Sequence, residues 1–264
     1  MGKSKDERQN RIIGLLSENG ALSPKELCES IGVSMMTIRR DLNEMAANKV
    51  IRKYYGCVSL TNGPQYKIPM KRSINLYHSA QEMHYEEKMR IAQYAFRMID
   101  PQDVIGIDNG TTCTHIIDFF NSDTNCLVYT YSQRILKEIN KLHNDNIMLF
   151  LFGGYYHSKL QMFEHSSILS IIHTIHINKM FVGAVGVSLS GELSCVQPYE
   201  VEVRKAIIKQ SDEVYLLTDS SKIGKSWYDK YGTIDDITAM ITDAGITIEQ
   251  KTALENKGLK IIVV

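Results

Sequence analysis

The five residues from Asp108 to Thr112 combine the side-chain types and the glycine that a phosphate-binding loop requires. They lie between a short apolar run, which predicts a buried strand, and a segment with helical periodicity. Gly110 permits a close approach of the backbone, the first N–H groups of the helix have no partner within it, and Thr111 and Thr112 supply hydroxyl donors. The sequence therefore predicts an anion cradle here, with a simple capped strand-to-helix turn as the alternative.

Hydroxyl groups, glycines and a lysine follow three further predicted strands, and we expect them at the same edge of a parallel sheet as the Asp108–Thr112 loop. These residues are Tyr131, Ser132, Gly153, Gly154, Asp219 and Lys222. Lys222 can act as a point charge for a phosphate group, or it can be an ordinary surface lysine. Together with the loop, these residues predict a site for a small phosphate ester. Glu200 and Arg204 can form a helical ion pair or reach a sugar hydroxyl, and we favour the ion pair.

Two adjacent arginines, Arg39 and Arg40, lie in a segment from Ser34 to about Asn48 that predicts a helix. Its inward face consists of Ile38, Leu42 and Met45. An exposed arginine can donate two hydrogen bonds to a guanine edge, and Thr37 or a methionine can contact a thymine methyl, whereas Asp41 should orient an arginine. The residues predicted to contact DNA from this helix are Ser34, Met35, Met36, Thr37, Arg39, Arg40 and Asn43. A solvated helix surface is the alternative.

The preceding residues predict two shorter elements that would position this helix. Apolar residues at helical spacing predict a first helix from about Lys5 to Glu18. Ser23 as the N-cap and Pro24 at the first helical position start a second helix, which Gly32 ends just before the next N-cap, Ser34. Two helices joined by so tight a turn are typical of a helix-turn-helix.

A short hairpin is predicted directly after the third helix, with strands at Val50–Tyr54 and Cys57–Leu60 around the turn Tyr55-Gly56. A hairpin in this position would be the wing of a winged helix. Arg52 and Lys53 would contact backbone phosphates, which sets the position on the duplex rather than the sequence that is read. An edge hairpin with two solvated charges is the alternative.

In the rest of the chain, short apolar runs alternate with helical patterns, which predicts an α/β domain with a mostly parallel sheet. A helix is predicted from Glu82 to Met98. The predicted strands lie near Val104–Ile107, Leu127–Tyr131, Ile147–Leu151, Lys179–Val182, Val214–Leu217, Ala239–Thr242 and Lys260–Val264. We therefore expect a winged helix-turn-helix domain at residues 1–60, a linker at 61–78 and an α/β effector-sensing domain at 79–264.

Charge is distributed unevenly along a chain whose formal net charge is zero. Residues 1–72 contain 13 Lys and Arg against 7 Asp and Glu, which suggests a polyanion as the partner of this part. The 5 cysteines are scattered without a C-x-x-C pair, which argues against a disulfide framework or a zinc site. No stretch reaches the roughly 18 apolar residues of a membrane helix. We expect a cytoplasmic protein with no cofactor, no metal and no membrane partner.

Several of these segments together resemble the DeoR family of bacterial transcriptional regulators. In the N-terminal part the resemblance is carried by Leu22-Ser23 with Glu26-Leu27, by Val33-Ser34, by Thr37-Ile38-Arg39-Arg40-Asp41-Leu42 and by Arg52 to Gly56. In the remainder it is carried by Glu87-Lys88, the Asp108–Thr112 loop, Gly153-Gly154, Glu200 with Arg204-Lys205, and Asp219-Ser220-Ser221-Lys222. The resemblance implies a sensor domain similar in fold to sugar-phosphate isomerases, with a phosphorylated sugar as inducer. Tyr131 stands where the family usually has Asn, and Glu164 where it usually has Gly, so an altered pocket is expected.

The sequence therefore predicts a transcriptional regulator, and more narrowly a repressor of carbohydrate genes, whose binding to a double-stranded operator is modulated by a phosphorylated sugar. Because one small reading head contacts few base pairs, a homodimer or homotetramer on repeated half-sites is expected. One alternative is a sugar-phosphate isomerase with a fused DNA-binding head, in which Asp108, Glu200 or Asp219 would act as general base. Another is a nonspecific DNA-binding protein.

Overall fold

The computed structural model describes residues 5–19, 21–22, 24–54, 57–61, 83–158, 160–165, 167–227 and 229–264. The chain separates into two units, Met1–Ser73 and Ile74–Val264, called here the reader unit and the sensor unit. Apart from Thr61, the predicted linker 61–78 lies outside the described residues, as do the predicted N-cap Ser23 and the predicted turn Tyr55-Gly56.

Three helices and a small antiparallel sheet make up the described part of the reader unit. The helices are α1 (Lys5–Asn19), α2 (Pro24–Ile31) and α3 (Met35–Ala47), and the strands are β1 (Ala21–Leu22), β2 (Ile51–Tyr54) and β3 (Cys57–Leu60), in the order β1-β3-β2. Gly32 makes the turn between α2 and α3 with a φ of +78°, which glycine adopts without strain. The predicted helix-turn-helix and hairpin strands are confirmed. Strand β1 was not predicted, because two residues carry no periodic signal.

The apolar stripes of the three helices meet in one core, to which the hairpin adds two side chains. Its buried members are Ile12, Leu16, Leu27, Ile31, Ile38, Leu42, Met45, Ile51 and Val58. Burying a side chain of this size contributes about 1.5–3 kcal/mol. The core therefore commits one face of α3 to packing and leaves the opposite face to solvent.

A seven-stranded parallel sheet forms the centre of the sensor unit, and all seven predicted strands are found in it. They are β4 (Val104–Ile107), β5 (Cys126–Thr130), β6 (Ile147–Leu151), β9 (Ile177–Gly183), β12 (Ser211–Leu217), β14 (Ala239–Thr242) and β15 (Ile261–Val263), in the order β15-β14-β12-β9-β4-β5-β6. Every neighbouring pair is parallel. The loops that follow these strands therefore emerge at one edge, where the effector residues were predicted.

Helices cover both faces of this sheet. One face packs against α4 (Tyr85–Phe96), α5 (Thr111–Thr114) with the following 3-10 helix His115–Phe119, and α6 (Gln133–Leu142). The other packs against α7 (Ile168–Ile172), α8 (Pro198–Lys209) and α9 (Ile248–Glu255). The predicted helix Glu82–Met98 corresponds to α4. In the described part of the chain, no helix has the length and hydropathy needed to cross a membrane.

Two small antiparallel sheets lie beside the seven-stranded sheet, and their short strands were not predicted from the sequence. They are β7 (Tyr155–His157) paired with β8 (Met162–Glu164), and β10 (Gly186–Val187), β11 (Glu192–Cys195) and β13 (Asp229–Thr233) in the order β10-β11-β13. The hairpin β7–β8 follows the predicted site residues Gly153 and Gly154. Gly154 has a φ of +145°, and a Cβ on it would lie 2.6 Å from the carbonyl oxygen of Glu164.

We expect Gly154→Ala to lower the free energy of unfolding of the sensor unit by about 1–3 kcal/mol, because its backbone conformation is one that only glycine adopts readily. The matched control is Gly153→Ala, since a Cβ there meets nothing within 4 Å among the described atoms. Urea unfolding followed by the fluorescence of the single tryptophan, Trp227, reports on this unit. Equal losses in both variants would show that the start of the hairpin is not constrained in this way.

Candidate DNA interface and effector site

The first turn of α3 is held by two hydroxyl side chains from the predicted DNA-contacting set. Ser34 is the N-cap, and its Oγ accepts a hydrogen bond from the N–H of Thr37 at 3.2 Å. The same Oγ lies 2.9 Å from Thr37 Oγ1. A cap of this kind stabilises a helix by about 0.5–2 kcal/mol. Ser34 and Thr37 thus define where α3 begins, and their contacts with DNA stay a prediction.

The exposed face of α3 carries the other predicted base-reading residues. They are Met35, Met36, Arg39, Arg40 and Asn43. Met36 is 82% exposed, while Met35 lies against Cys28, with 3.9 Å between the two sulfur atoms. The guanidinium groups of Arg39 and Arg40 therefore stand on the surface of a helix whose other side is fixed in the core. This is the arrangement that a major groove accepts.

Asp41 is the buried polar residue on the inward face of α3, and it binds an arginine from α1. Arg8 Nε donates to Asp41 Oδ2 at 2.5 Å, and Arg8 Nη2 donates to Asp41 Oδ1 at 2.9 Å. Both side chains are more than nine-tenths buried. Asp41 therefore orients an arginine, as expected, but that arginine comes from another helix rather than from α3 itself.

Arg52 and Lys53 lie on β2 of the predicted wing. In the register of the hairpin, Arg52 is opposite Ser59 and Lys53 is opposite Val58. Their contact with phosphate groups stays a prediction.

Asp108 lies at the carboxyl edge of the main sheet, and both of its oxygen atoms are occupied within the protein. Arg204 Nε donates to Oδ1 at 3.2 Å and Arg204 Nη2 to Oδ2 at 2.9 Å, while the Gly183 N–H donates to Oδ2 at 3.0 Å. The hydroxyl of Tyr131 also donates to Oδ1. Asp108 has no exposed surface. The geometry therefore favours an organising role for Asp108 and Tyr131 over the direct contact with an effector that we predicted.

Glu200 completes this buried network. Its Oε1 accepts a hydrogen bond from Arg204 Nη2 at 3.3 Å, which is the ion pair favoured from the sequence. Burial raises the pKa of Glu200, although the nearby Arg204 opposes the shift. Burial also disfavours the charge on Arg204, but Asp108 and Glu200 outweigh it and raise the pKa of Arg204 well above its usual range. Arg204 therefore stays charged with two carboxylates around it.

Ser132, another predicted effector residue, connects the Asp108–Thr112 loop to the β7–β8 hairpin. Ser132 Oγ donates to Asn109 Oδ1 at 2.7 Å, and Asn109 Nδ2 donates to the carbonyl oxygen of Leu160 at 2.9 Å. Gly153 and Gly154 precede the same hairpin, and Gly154 lies close to the Glu164 carbonyl. Ser132, Gly153 and Gly154 thus shape the surroundings of the loop.

Two lysines, Lys88 and Lys222, lie close enough to influence each other electrostatically, and Lys88 was not predicted as a site residue. Lys88 on α4 is buried, and its Nζ donates to the carbonyl oxygen of Met83 at 2.7 Å. Burial, together with the charge of Lys222, lowers the pKa of Lys88 to about 8. Its position could have been found from the sequence, because Lys88 precedes the buried Ile91 and Ala92 by three and four residues and so lies on the inward stripe of α4.

The carboxylate of Asp219 interacts electrostatically with both lysines. Its Oδ2 is 3.3 Å from Lys222 Nζ, and its Oδ1 accepts a hydrogen bond from Ser221. Burial alone would raise the pKa of Asp219, but Lys222, the Ser221 hydroxyl and Lys88 together lower it. Asp219 therefore stays ionised and neutralises one of the two ammonium groups.

One buried oxygen atom of the Asp108–Thr112 loop, Thr112 Oγ1, accepts and donates no hydrogen bond among the described residues. Buried polar groups in proteins are nearly always hydrogen-bonded, so such atoms indicate a place that a ligand or water completes. Gly110 lies directly before Thr111 and Thr112 and packs against Gly183, whose Cα is 3.4 Å from the position of a Cβ on Gly110.

We define the basic cluster as Lys88, Thr112, Asp219 and Lys222. A net positive charge, an unpaired hydroxyl and the start of a helix are what a phosphate group requires. In the part of the chain that the structure describes, no group of His, Cys, Asp and Glu side chains is arranged to hold a metal ion.

A winged helix-turn-helix joined to an α/β unit with a polar site at its carboxyl edge defines a ligand-responsive, DNA-binding transcriptional regulator. The DeoR-like helix-turn-helix domain matches residues 8–63, and the DeoR C terminal sensor domain matches residues 83–244. The chain belongs to the DeoR family. The resemblance read from the Thr37–Leu42 string and the Asp219–Lys222 segment is thereby confirmed.

The chain is 33% identical to the HTH-type transcriptional regulator IolR of Bacillus subtilis (strain 168), over 85% of each chain. It is 31% identical to the lactose phosphotransferase system repressor of Streptococcus mutans (serotype c), over 90% of this chain and 92% of that protein. Among solved structures, ribose 5-phosphate isomerase A of Methanocaldococcus jannaschii aligns with a TM-score of 0.37 at 16% identity, covering 51% of this chain and 52% of that one.

Asp108→Asn should lower the free energy of unfolding of the sensor unit by about 3–5 kcal/mol, since it leaves the buried Arg204 without its two-point partner. The matched control is Glu202→Gln on the same helix as Arg204, because the Glu202–Lys205 ion pair is exposed and should contribute less than about 1 kcal/mol. Urea unfolding followed by Trp227 fluorescence measures both. A loss in Asp108→Asn no larger than in the control would contradict the organising role.

Proposed function

We propose that this regulator is an operator-specific repressor of carbohydrate genes whose DNA binding is weakened by a phosphorylated sugar held at the basic cluster. In this proposal it acts in the cytoplasm as a homodimer or homotetramer, so that two or more reader units contact repeated half-sites. One of its relatives is named as a repressor of a lactose phosphotransferase system, which agrees with control of carbohydrate genes.

The exposed arginines of α3 support sequence-specific reading. A bidentate contact from Arg39 or Arg40 to the O6 and N7 atoms of guanine discriminates against a wrong base by about 1–3 kcal/mol. Met35 and Met36 present apolar surface next to them, which suits the methyl group of thymine. Arg52 and Lys53 on the wing are assigned to the phosphate backbone, where contacts add affinity that does not depend on sequence.

The observation that carries the effector proposal is the buried, unpaired hydroxyl of Thr112 in the loop after β4, and the electrostatic influence of Lys222 on Lys88 supports it. Two ammonium groups held close together raise each other's electrostatic energy, and the lowered pKa of Lys88 reflects this. A phosphate dianion would relieve the repulsion and supply acceptors for Thr112 and for the first N–H groups of α5. A phosphate ester is therefore favoured over a neutral sugar.

Binding without chemical conversion is part of the proposal. An isomerase needs a carboxylate close to a substrate C–H bond with a lone pair free to take the proton. Asp108 accepts hydrogen bonds from Arg204, Tyr131 and Gly183. The other two carboxylates named for that role, Glu200 and Asp219, are engaged with Arg204 and Lys222. These contacts favour a sensor over the isomerase alternative.

Regulation then requires the ligand to distinguish two states of the protein. Moving a population from about 1:99 to 99:1 takes a difference in ligand affinity of ~10⁴, or about 5.5 kcal/mol. An interaction of that size must come from groups whose environment changes on binding. The basic cluster is suited to this, because a bound anion would change the electrostatic environment of both Lys88 and Lys222.

Arg39→Ala or Arg40→Ala should lose about 1–3 kcal/mol of affinity for a specific duplex while losing much less on random duplex, because each removes donors to a base edge. Arg52→Ala should instead weaken both duplexes alike. The specific duplex is the one that the wild-type protein enriches from a random-sequence library, and fluorescence anisotropy gives the affinities. Equal losses on both duplexes for Arg39→Ala and Arg40→Ala would remove α3 from the major groove.

Lys222→Ala should abolish the effect of the effector and leave operator binding intact. Glucose 6-phosphate, ribose 5-phosphate, glycerol 3-phosphate and inorganic phosphate are added to the protein bound to its enriched duplex, and release and thermal stabilisation are measured. The control is Lys225→Ala, which removes an exposed lysine three residues away. If the effector still releases the Lys222→Ala variant from its duplex as it does the wild type, Lys222 is not part of the site. Conversion of a sugar phosphate by the wild-type protein, followed by NMR, would favour the isomerase alternative.

The affinity for the phosphate ester measured in this titration should depend on pH. Lys88 binds an anion only in its charged form, and an anion raises its pKa from the value of about 8 that burial and Lys222 impose. Affinity is therefore greatest below pH 8 and declines as the pH rises above 8, while a phosphate ester with a second pKa of ~6 stays a dianion over that decline. In Lys88→Met the decline should be much shallower. An unchanged pH profile in that variant would contradict the assignment.

A further inference from the structure

Two ion pairs join α1 to α3 in the reader unit, and they differ sharply in burial. Lys5 and Arg8 are three residues apart on α1, and they contact Glu44 and Asp41, which are three residues apart on α3. The side chains of Lys5 and Glu44 are 52% and 41% exposed, whereas those of Arg8 and Asp41 are 9% and 1% exposed. The outer pair is thus solvated and the inner pair lies within the core.

A buried ion pair is a poor way to gain stability alone. Removing two charges from water costs several kcal/mol each, and replacing such a pair by apolar side chains of similar size is often neutral or stabilising. The immediate neighbours of Asp41 on its helix face are Ile38, Leu42 and Met45, so an apolar residue would suit this position. The pair must contribute something that apolar packing does not supply.

The pair contributes a defined orientation of α3 relative to α1. Arg8 meets Asp41 at two points, at 2.5 Å and 2.9 Å, in the planar two-bond geometry of a guanidinium facing a carboxylate. Apolar contacts tolerate small rotations of a helix, but a two-point hydrogen-bonded contact fixes both the rotation of α3 about its axis and its position along α1. Successive residues are about 100° apart around a helix. Arg39 and Arg40 directly precede Asp41, so a rotation of α3 about its axis would turn both arginines away from the base edges.

Charge gives a second reason for the pair. Asp41 follows Arg39 and Arg40 on the helix assigned to the groove, and Glu44 adds another carboxylate one turn later. An uncompensated carboxylate in this position would repel the phosphate backbone and compete with the bases for the arginine side chains. Arg8 holds the Asp41 carboxylate in the core of the reader unit, and Lys5 pairs with the exposed Glu44 carboxylate on the side of α3 that faces α1.

We propose that Arg8 and Asp41 are positioning residues for sequence reading: their buried two-point contact sets the orientation in which α3 presents Arg39 and Arg40 to base edges. This inference rests on the proposed function in one respect, the assignment of α3 as the helix that reads DNA. It predicts that disturbing the pair reduces discrimination between sequences in protein that is still folded. A merely stabilising pair would leave the discrimination of the folded protein unchanged.

The experiment uses the full-length chain with two duplexes, the one enriched by the wild type from a random-sequence library and a scrambled duplex of the same composition. The variants are Asp41→Asn, which removes the charge at constant shape, and Arg8→Lys, which keeps the charge but loses the two-point contact. The control is Lys5→Ala, which breaks the exposed pair between the same two helices. Circular dichroism selects a temperature at which each variant is folded, and anisotropy gives both affinities.

We expect the ratio of the two affinities to fall about tenfold or more in Asp41→Asn and severalfold in Arg8→Lys, comparable to the effect of one mismatched base pair. In Lys5→Ala it should stay within about twofold, as for an exposed ion pair. A folded Asp41→Asn variant with the wild-type ratio would overturn the proposal. If Asp41→Asn does not fold, Arg8→Lys decides in the same way.

Failure of the reading assignment can be told apart from failure of this inference. If Arg39→Ala and Arg40→Ala leave the ratio unchanged, α3 is not the reading helix and the proposed function is wrong in that respect. If those variants lower the ratio while Asp41→Asn and Arg8→Lys do not, the helix reads DNA but the buried pair does not orient it.

Discussion

The arrangement of the sensor unit depends on the carboxylate of Asp108. It has no exposed surface, and it accepts hydrogen bonds from Arg204, from the hydroxyl of Tyr131 and from the N–H of Gly183. One side chain therefore joins the end of β4 to the ends of β5 and β9 and to α8. Attraction between buried charges is strong, but it offsets their lost hydration only when the remaining lone pairs are also satisfied. Asp108 meets that condition, so a loop that could move is held in one place.

This inner network and the basic cluster share the Asp108–Thr112 loop. The first residue of the loop is fixed by Arg204, while the hydroxyl of Thr112 has no partner among the described residues. Asn109 between them is tied through Ser132 and Leu160 to the β7–β8 hairpin. In the proposed function, the inner network is the fixed support of the loop and the basic cluster is the part that responds to the ligand.

Patterns that repeat over many residues made the fold predictable from the sequence. Contacts between residues far apart in the chain could not be predicted in this way. All seven strands of the main sheet and the three helices of the reader unit follow from apolar periodicity and caps, whereas β1, β7 and β10 are too short to show a period. The Glu200–Arg204 pair was predictable from spacing of four residues, but the stronger tie of Arg204 to Asp108 spans 96 positions. Lys88 was not predicted, because lysines are almost never fully buried even where they lie on an apolar stripe.

The two units use the same device, which explains why charges are buried in a chain that could have filled both positions with apolar residues. Arg204 meets Asp108 at two points, and Arg8 meets Asp41 at two points, each pair joining elements distant in the sequence. In each case the carboxylate belongs to the element that carries proposed ligand contacts, the Asp108–Thr112 loop or α3. Apolar packing determines how closely such elements approach, but a planar two-bond contact also determines their orientation. A regulator needs orientation at both its sites, because base edges and a phosphate group are recognised by direction as much as by distance.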